Sequence, residues 1–369
     1  MIKDLLNHLE SEAANPMRKG DFDLNDRPEN EVLQPFGRLK DALGYIEEVV
    51  LPVWKTADKQ AMRFQSRHRK LAKVAIFTGT SAIFFAIIQM AVARQIPSLV
   101  NVALALEVVA VIAGIVAVAV GIRSKGDKNW LRERNRAERL RMLKFQSLGW
   151  GGLFDDDLGN WKQKISEQME TLKAPLSIDE VKAWALKYKT ISGIQIPFSD
   201  KPYTETNALS VYYLYKRLMY QAGYFEKQAK KHEKAARPWR HLSLPVFIAS
   251  TICVLIHFIS GWFLLQFNES GMEHLRNLLE AIEIWSLALA TIIPVLGLST
   301  RVWLGAFEPH RSANLYHCKR NAVLEIRERM MQQETDPHLL NKNIDEAETL
   351  FENEHREWLR LMFETEWML

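Results

Sequence analysis

The clearest pattern in this sequence is the alternation of long apolar blocks with segments that are dense in charge. Four blocks reach the roughly 20 apolar residues that a helix needs to cross the hydrocarbon core of a bilayer. They cover residues 74–93, 99–122, 242–265 and 282–300. Lipid offers no hydrogen-bond partner to a peptide group, so segments of this kind must be helical. The pattern predicts an all-α, polytopic membrane protein with four transmembrane helices in two tandem helical hairpins.

The alternative interpretation is a set of four helices buried in a large soluble core. Residues 102–122, VALALEVVAVIAGIVAVAVGI, have almost no polar face. A soluble chain of 369 residues rarely buries four helices of this length and composition. We therefore favour the membrane interpretation, in which the lipid bilayer is the first partner of the protein.

Basic residues predict the orientation of the chain. Lys and Arg are concentrated before the first and third blocks and after the second and fourth, whereas the two short connections carry little positive charge. An excess of this kind marks cytoplasmic segments, so both termini are predicted to be cytoplasmic and the protein to lie in the cell (inner) membrane. The basic residues nearest the blocks are candidates for contact with lipid headgroups. They are Arg63, Arg67, Arg69, Lys70, Lys73, Arg123, Lys125 and Arg301.

The chain divides around the four blocks into five segments. We expect residues 1–36, which contain three prolines, to be loosely ordered. Residues 37–147 and 206–333 are each predicted to form a helix, a two-span hairpin and a returning helix. Residues 148–205 are predicted to be a cytoplasmic linker region, and residues 334–369 to carry an acidic amphipathic helix. Its charge favours docking against the basic helices that flank the spans.

Two local signals refine this division. Ser177 and Glu180 have the spacing of a capping box, which predicts a helix from there through Tyr188. Neither Gly nor Pro separates Trp54 from Lys73. The helix that precedes the first span is therefore expected to be continuous with it.

The two membrane segments repeat one another in sequence. The stretch that begins at Ala105 aligns with the stretch that begins at Ala281. The matching pairs are Ala105/Ala281, Glu107/Glu283 and Gly121/Gly297. A single match is weak, but several matches in the same order favour an internal duplication. Because each copy holds an even number of spans, the two repeats are predicted to be parallel.

Motifs for catalysis are not found: the sequence has no phosphate-binding glycine loop, no HExxH helix and no GxSxG elbow. Asp155, Asp156 and Asp157 could hold a divalent cation, but a solvated turn is the better interpretation because metal loops place ligands at alternate positions. His310 and His317 lie two helical turns apart and are interpreted as surface residues. We therefore predict no enzyme, no metal and no cofactor. The basic runs adjoin membrane spans, so nucleic acid is not predicted as a partner.

Ionisable residues inside the predicted spans carry the most information about function. Glu107 lies sixteen residues before Arg123, which places it about 24 Å higher along a helix. Glu283 lies at a similar height above Arg301. One interpretation is a pair of hydrogen-bonded carboxylates near the outer surface. The other is two acidic positions at the mouth of an oligomeric cation pore. His257 is interpreted as packed, or as the donor of one hydrogen bond.

The basic helix entering the first span, the short outer hairpin and the run WLRERNRAERLRMLK after the second span resemble the SLATT family. This family (SMODS/SLOG-associating two-transmembrane effectors) comprises two-span modules associated with nucleotide-second-messenger synthases and SLOG sensors. The similarity covers residues 54–147 and 213–333, as a tandem duplicate. It implies a membrane-disrupting or pore-forming effector in bacterial antiphage defence, inactive until a cytosolic signal arrives. No nucleotide-binding domain is visible here, so the sensor would be a partner protein or the linker region.

Three classes of function remain open from the sequence. The first is an effector that forms a homo-oligomer and permeabilises the membrane or conducts ions, with a cytosolic sensor or nucleotide synthase as its partner. The second is a non-conducting scaffold that anchors a cytosolic complex, although an inert anchor does not need duplicated intramembrane carboxylates. The third is a small-solute transporter, which usually has glycine-broken half helices. Pro294 and Gly297 are the nearest approach to that feature.

Overall fold

The computed structural model is helical, and the residues that it describes contain no β-strand. Those residues are 2–13, 31–92, 96–124, 126–150, 153, 158–187, 203–237, 243–266, 273–307, 309–332 and 337–364. The predicted all-α fold class is confirmed.

The helices follow one another closely along the chain. In order, they are α1 (Ile2–Ala13), α2 (Gly37–Val49), α3 (Leu51–Val92), α4 (Pro97–Ser124), α5 (Gly126–Leu148), α6 (Gly159–Leu172), α7 (Ile178–Leu186), α8 (Tyr203–Tyr213), α9 (Tyr220–Ala236), α10 (Ser243–Gln266), α11 (Glu273–Phe307), α12 (Pro309–Gln332) and α13 (Pro337–Glu364). A π-helical turn, Leu214–Met219, joins α8 to α9. The predicted continuity of the first span with the helix before it is confirmed, because α3 contains both.

Among the described residues, four helices are long and apolar enough to cross a membrane. Their candidate spans are Leu51–Ala91 in α3, Ser98–Arg123 in α4, Leu244–Gln266 in α10 and Glu273–Arg301 in α11. These spans coincide with the four predicted apolar blocks, apart from one or two residues at most ends, the long N-terminal extension of α3, and residues 273–281, which precede the fourth predicted block. The prediction of a multi-pass membrane protein is confirmed at this level.

Large apolar side chains of these helices point away from the protein. Phe77, Phe258 and Leu265 are 73%, 71% and 81% exposed. A helix in the core of a soluble protein would cover such residues. Their exposure contradicts the interpretation of a large soluble core and is what contact with lipid requires.

The chain forms two compact units. The polar unit consists of Met1–Gln65, Gly126–Lys230 and Ala313–Trp367. The apolar unit consists of Ser66–Lys125, Lys231–Ser312 and Met368–Leu369, and it holds the apolar parts of the four candidate spans. The two units are defined by contacts in space, whereas the five predicted segments were defined along the chain. The predicted segment boundaries are therefore not tested and stay a prediction.

Helix α13 is the centre of the polar unit. Every residue from Leu340 to Phe363 is buried or half-buried except Lys342 and Glu357. Pro337, which has no N–H to leave unpaired, is the first residue of this helix, within the segment 334–369 that was predicted to carry it. The helix packs against α5 and α7. Docking of the acidic C-terminal helix on the basic helix after the second span is thereby confirmed.

The N-terminal segment differs from its prediction. Residues 2–13 were expected to be loosely ordered, yet they form α1, and Leu5 and Leu9 are buried in the main core of the polar unit. The three prolines behind that prediction follow α1 in the chain, so they place no restriction on its backbone. Residues 14–30 lie outside the described residues.

The predicted linker region contains two packed helices. In α7, Ser177 accepts a hydrogen bond from the backbone N–H of Glu180, and the Glu180 carboxylate accepts one from the N–H of Ser177. The predicted capping box is confirmed, although α7 ends at Leu186 and Tyr188 lies outside the described residues. The other helix of this region is α6. It buries an apolar stripe at helical spacing, formed by Trp161, Ile165, Met169 and Leu172.

Candidate functional site

The first carboxylate, Glu107, lies on one face of α4, in line with a row of alanines and glycines that is here called the stripe. The stripe repeats at alternating spacings of four and three residues, which keeps its members on one face of a helix. Its members are Ala103, Glu107, Ala110, Gly114, Ala117 and Gly121. The three alanines are buried and Glu107 is half-buried. The side chain of Glu107 therefore belongs to the packed face of α4, opposite apolar residues that are exposed.

Helix α4 meets α3 at a glycine on this stripe. A Cβ atom at Gly114 would lie 3.1 Å from Oγ1 of Thr78. The Thr78 hydroxyl donates to the backbone carbonyl of Val74, one turn earlier in α3. Small residues allow such close approach between membrane helices. The glycine thus fixes the point at which the two helices touch.

The second carboxylate, Glu283, faces α10. A Cβ atom at Gly261 would lie 3.4 Å from Oε1 of Glu283, so the carboxylate occupies the space beside that glycine. One turn earlier in α10, Nδ1 of His257 lies 3.1 Å from the backbone carbonyl of Glu283 and donates to it. The Ser286 hydroxyl donates to the same carbonyl at 2.9 Å. The interpretation of His257 as a hydrogen-bond donor is confirmed.

Hydroxyl groups connect the helices of the apolar unit below this point. Ser250 of α10 donates to the backbone carbonyl of Ala290 in α11 at 3.2 Å. Thr80 of α3 lies 2.9 Å from the Ser299 hydroxyl of α11. These hydrogen bonds lie on the packed faces, where polar side chains of membrane helices find partners. These two hydrogen bonds link α11 to α10 and to α3 inside an otherwise apolar unit.

The candidate headgroup residues are placed where lipid could reach them. The exposed ones are Arg63, Arg67, Arg69, Lys70, Lys73, Arg123 and Arg301. Lys125 lies outside the described residues, as do Asp155, Asp156 and Asp157, and the side chain of His310 is not described. Within the described part of the chain, no group of three or more His, Cys, Asp or Glu side chains is arranged to hold a metal ion. Headgroup contact itself stays a prediction.

The polar unit contains a second arrangement of charged groups that the sequence did not indicate. Arg217, in the π-helical turn, and Glu348, in α13, are 2% and 0% exposed. The guanidinium binds the carboxylate through two parallel hydrogen bonds, Nε to Oε1 and Nη2 to Oε2, each 2.7 Å long. The Tyr213 hydroxyl donates to Oε1 at 2.9 Å. Burial raises the pKa of that hydroxyl well above its usual value, so it remains a donor.

Two aromatic rings lie close to the guanidinium of this ion pair. The Arg217 guanidinium carbon lies 4.6 Å from the centre of the Phe145 ring and 4.3 Å from that of Phe351. A planar cation at this distance from a ring gains cation–π attraction that strengthens when water is excluded. The neighbouring Lys144 ammonium lies over the Phe145 ring at 4.7 Å. The site is therefore dry, aromatic and charged.

A second buried cluster surrounds His355 of α13. Its Nε2 lies 3.3 Å from Oδ1 of Asn135 in α5, and its ring stacks on Trp358 at 5.6 Å between centres. Burial lowers the pKa of His355 to about 3, so the ring is neutral and Nε2 donates to the amide oxygen.

An acidic group lies among basic residues close by. Burial raises the pKa of the Glu138 carboxyl, but attraction to Arg134 and Arg141 outweighs that effect and brings the pKa to about 2. The carboxylate is therefore ionised at neutral pH.

The acidic residues of α13 are matched to donors on several elements. Lys319 and Arg329 of α12 bind Glu354 and Glu346, with N–O distances of 2.7 and 3.1 Å. The Gln146 amide of α5 donates to Glu352 at 3.3 Å. In the sequence these residues look like an ordinary charged helix surface. One signal was available: the run YYLYKRLMY places two adjacent basic residues among aromatic ones, which is unusual for a solvated face.

Comparisons with protein-family models, with curated proteins and with solved structures gave no match. The resemblance to the SLATT family therefore rests on the sequence features given above and stays a prediction.

Proposed function

We propose that this protein is a membrane effector that oligomerises and, when a cytosolic signal reaches it, permeabilises the membrane or conducts ions, in bacterial antiphage defence. Four membrane-capable helices support the location, and the resemblance to the SLATT family supports the biological setting. The signal would come from a cytosolic sensor or a nucleotide synthase, because the chain shows no nucleotide-binding motif of its own.

The observation that carries the proposal is the position of the two carboxylates. Glu107 and Glu283 are half-buried, and each occupies a stripe that packs against other helices. Ionisable groups in membrane helices are costly, and they usually face a bundle interior or a water path rather than lipid. Two such groups at matched heights support a role in the passage of cations.

The stripe in α11 also supports the duplication. Glu283 is followed at intervals of three and four residues by Ser286, Ala290, Ile293 and Gly297. These positions correspond one by one to the stripe that follows Glu107 in α4. Selection for the same face in both copies would explain why a glutamate and a glycine recur in register.

The proposed orientation places the polar unit and both termini in the cytoplasm, in the inner membrane. It is supported by the exposed basic residues that flank the spans. The polar unit would then be the part of the protein that receives the signal.

The experiment is a reversal-potential measurement on protein reconstituted in planar bilayers. Glu107→Gln and Glu283→Gln keep the size of each side chain and remove its charge. We expect each change to reduce the preference for potassium over chloride, and both together to reduce it further. Glu280→Gln is the matched control, because Glu280 lies in the same helix as Glu283, is exposed and pairs with Arg276. Unchanged selectivity in both test variants would remove the carboxylates from the conduction path.

A non-conducting scaffold is the second candidate, favoured by the extent of the polar unit and by the buried ion pairs within it, such as Arg217–Glu348 and Arg356–Glu352. The two proposals differ in living cells. An effector depolarises the membrane when it is triggered or overproduced, before nucleotides or DNA are lost. A normal membrane potential in dying cells would favour the scaffold.

A further inference from the structure

The π-helical turn Leu214–Met219 interrupts a helical run that extends from Tyr203 to Ala236. In a π-helix each N–H bonds to the carbonyl five residues back rather than four, so the turn holds an extra residue. Such turns are rare, and they frequently occur at functional sites. All five residues from Leu214 to Leu218 are buried, including the adjacent Lys216 and Arg217. The turn therefore needs interactions with other elements to hold it against the commoner α-helix.

Those interactions converge on one carboxylate. Tyr213, the last residue of α8, and Arg217, inside the turn, both bind Glu348 of α13. The rings of Phe145 in α5 and Phe351 in α13 lie within cation–π distance of the guanidinium. If the turn became an ordinary α-helix, the segment beyond it would rotate by the angle that one residue spans, roughly 100° about the helix axis. The guanidinium would then leave the plane of the carboxylate.

Stability alone does not explain this pair. Replacing a buried ion pair by apolar residues of similar volume is often neutral or stabilising, so such pairs are better explained by the conformation that they select. A bidentate bond has strict directional requirements. The bidentate bond can therefore form when the turn is π-helical, but not when the turn is α-helical.

We propose that the turn and Glu348 form a two-position switch inside the polar unit. While Glu348 binds Arg217, the segment is π-helical. When the carboxylate releases the guanidinium, the segment relaxes to an α-helix, and α8 turns relative to α9 by about one residue. Residues 237–242 alone separate α9 from the third span in the chain. The switch thus lies on the covalent path from the polar unit to that span, and it does not depend on what the spans conduct.

The test measures the distance between spin labels on α8 and α9. Cysteines replace Thr204 and Lys227, both exposed, in full-length protein in nanodiscs whose Cys253 and Cys318 are changed to Ser. The switching variant is Arg217→Met with Glu348→Leu, because an apolar pair keeps the core filled. We expect a single distance for the unchanged pair and a second one, shifted by several ångström, for the variant.

Glu346→Gln is the matched control. Glu346 lies in the same helix and also binds an arginine, Arg329, but that pair is only half-buried and does not involve the turn. The control is expected to keep the original distance. A folded double variant that also keeps it would overturn the proposal.

Hydrogen exchange separates switching from general loosening, and Glu348→Gln supplies a milder variant if the double variant fails to fold. Switching predicts that exchange rates change at the amides of 214–223 and remain within about twofold elsewhere in the polar unit. A uniform increase across α5, α12 and α13 would mean that Glu348 only stabilises the core, and would contradict the proposal.

Discussion

Removing one partner of the Arg217–Glu348 pair should be among the most damaging changes to the polar unit. Arg217→Met leaves the Glu348 carboxylate, which is fully buried, without its guanidinium. An uncompensated buried charge of this kind costs about 3 to 5 kcal/mol of unfolding free energy. Adding Glu348→Leu removes the charge as well, and most of the loss should be recovered. The Tyr213 hydroxyl then lacks its acceptor, so a deficit of about 1 to 3 kcal/mol should remain.

The assay is a urea titration of full-length protein in detergent micelles, followed by tryptophan fluorescence. Trp161 is a suitable internal reporter because it is buried and its indole N–H donates to the carbonyl of Ser147 at 2.8 Å. Adding Tyr213→Phe to the double variant should remove this remaining deficit, since the buried hydroxyl that lost its acceptor is then absent. A double variant as unstable as Arg217→Met would refute the reasoning, because the cost would then lie in poorer packing rather than in an unpaired charge.

Three other predictions concern pH, helix packing and topology. Burial lowers the pKa of His355 from 6.5 to about 3, so the folded protein resists protonation of this ring. The stability that the neutral ring contributes is complete above pH 6.5 and is lost as the pH falls below that value. Unfolding free energy should therefore drop by about 2 kcal/mol between roughly pH 7.5 and pH 5, and His355→Gln should flatten that slope in urea titrations at each pH. Gly297→Ala should lower the stability of the apolar unit by about 1 to 3 kcal/mol in thermal melts, because the added Cβ would lie 2.9 Å from Cγ1 of Val246. Gly121→Ala is the control: no atom lies within 4 Å of the added Cβ, so the stability should hardly change. Reporter fusions at residues 95 and 268 should be found outside the cell and a fusion at residue 369 inside; a cytoplasmic result at residue 268 would contradict the four-span topology.

The features that were predicted correctly depend on short stretches of chain. A membrane span needs only length and apolar composition, and a capping box needs only Ser177 and Glu180. The π-helical turn and its ion pair could not be predicted in this way. Arg217 and Glu348 are 131 residues apart in the chain, and although the aromatic run around Arg217 is unusual for a solvated face, it does not identify the carboxylate that Arg217 binds. A charge enters a core only when its partner arrives from elsewhere, and a local pattern does not contain that information.

The prediction of a loosely ordered N-terminal segment was wrong for residues 2–13 because it treated prolines as a property of the whole segment. Proline restricts the backbone at its own position and just before it, and α1 ends before the first proline. The apolar spacing of Ile2, Leu5, Leu6 and Leu9 was the better guide, since it places those side chains on one face of a helix.

The buried charges of the polar unit are best understood as fixing the register of α13. An apolar helix surrounded by apolar neighbours could dock at several rotations with similar energy. A slip of one residue turns a helix by about 100°, and it would carry Glu346, Glu348 and Glu354 away from Arg329, Arg217 and Lys319 together. The fully buried Glu348 would then meet a surface that cannot pair with it, at a cost of several kcal/mol, and the two more exposed carboxylates would lose their partners as well. Because the donors belong to α12 and to the π-helical turn, which lie on opposite sides of the last hairpin in the chain, correct docking of α13 also brings those two segments into their proper arrangement.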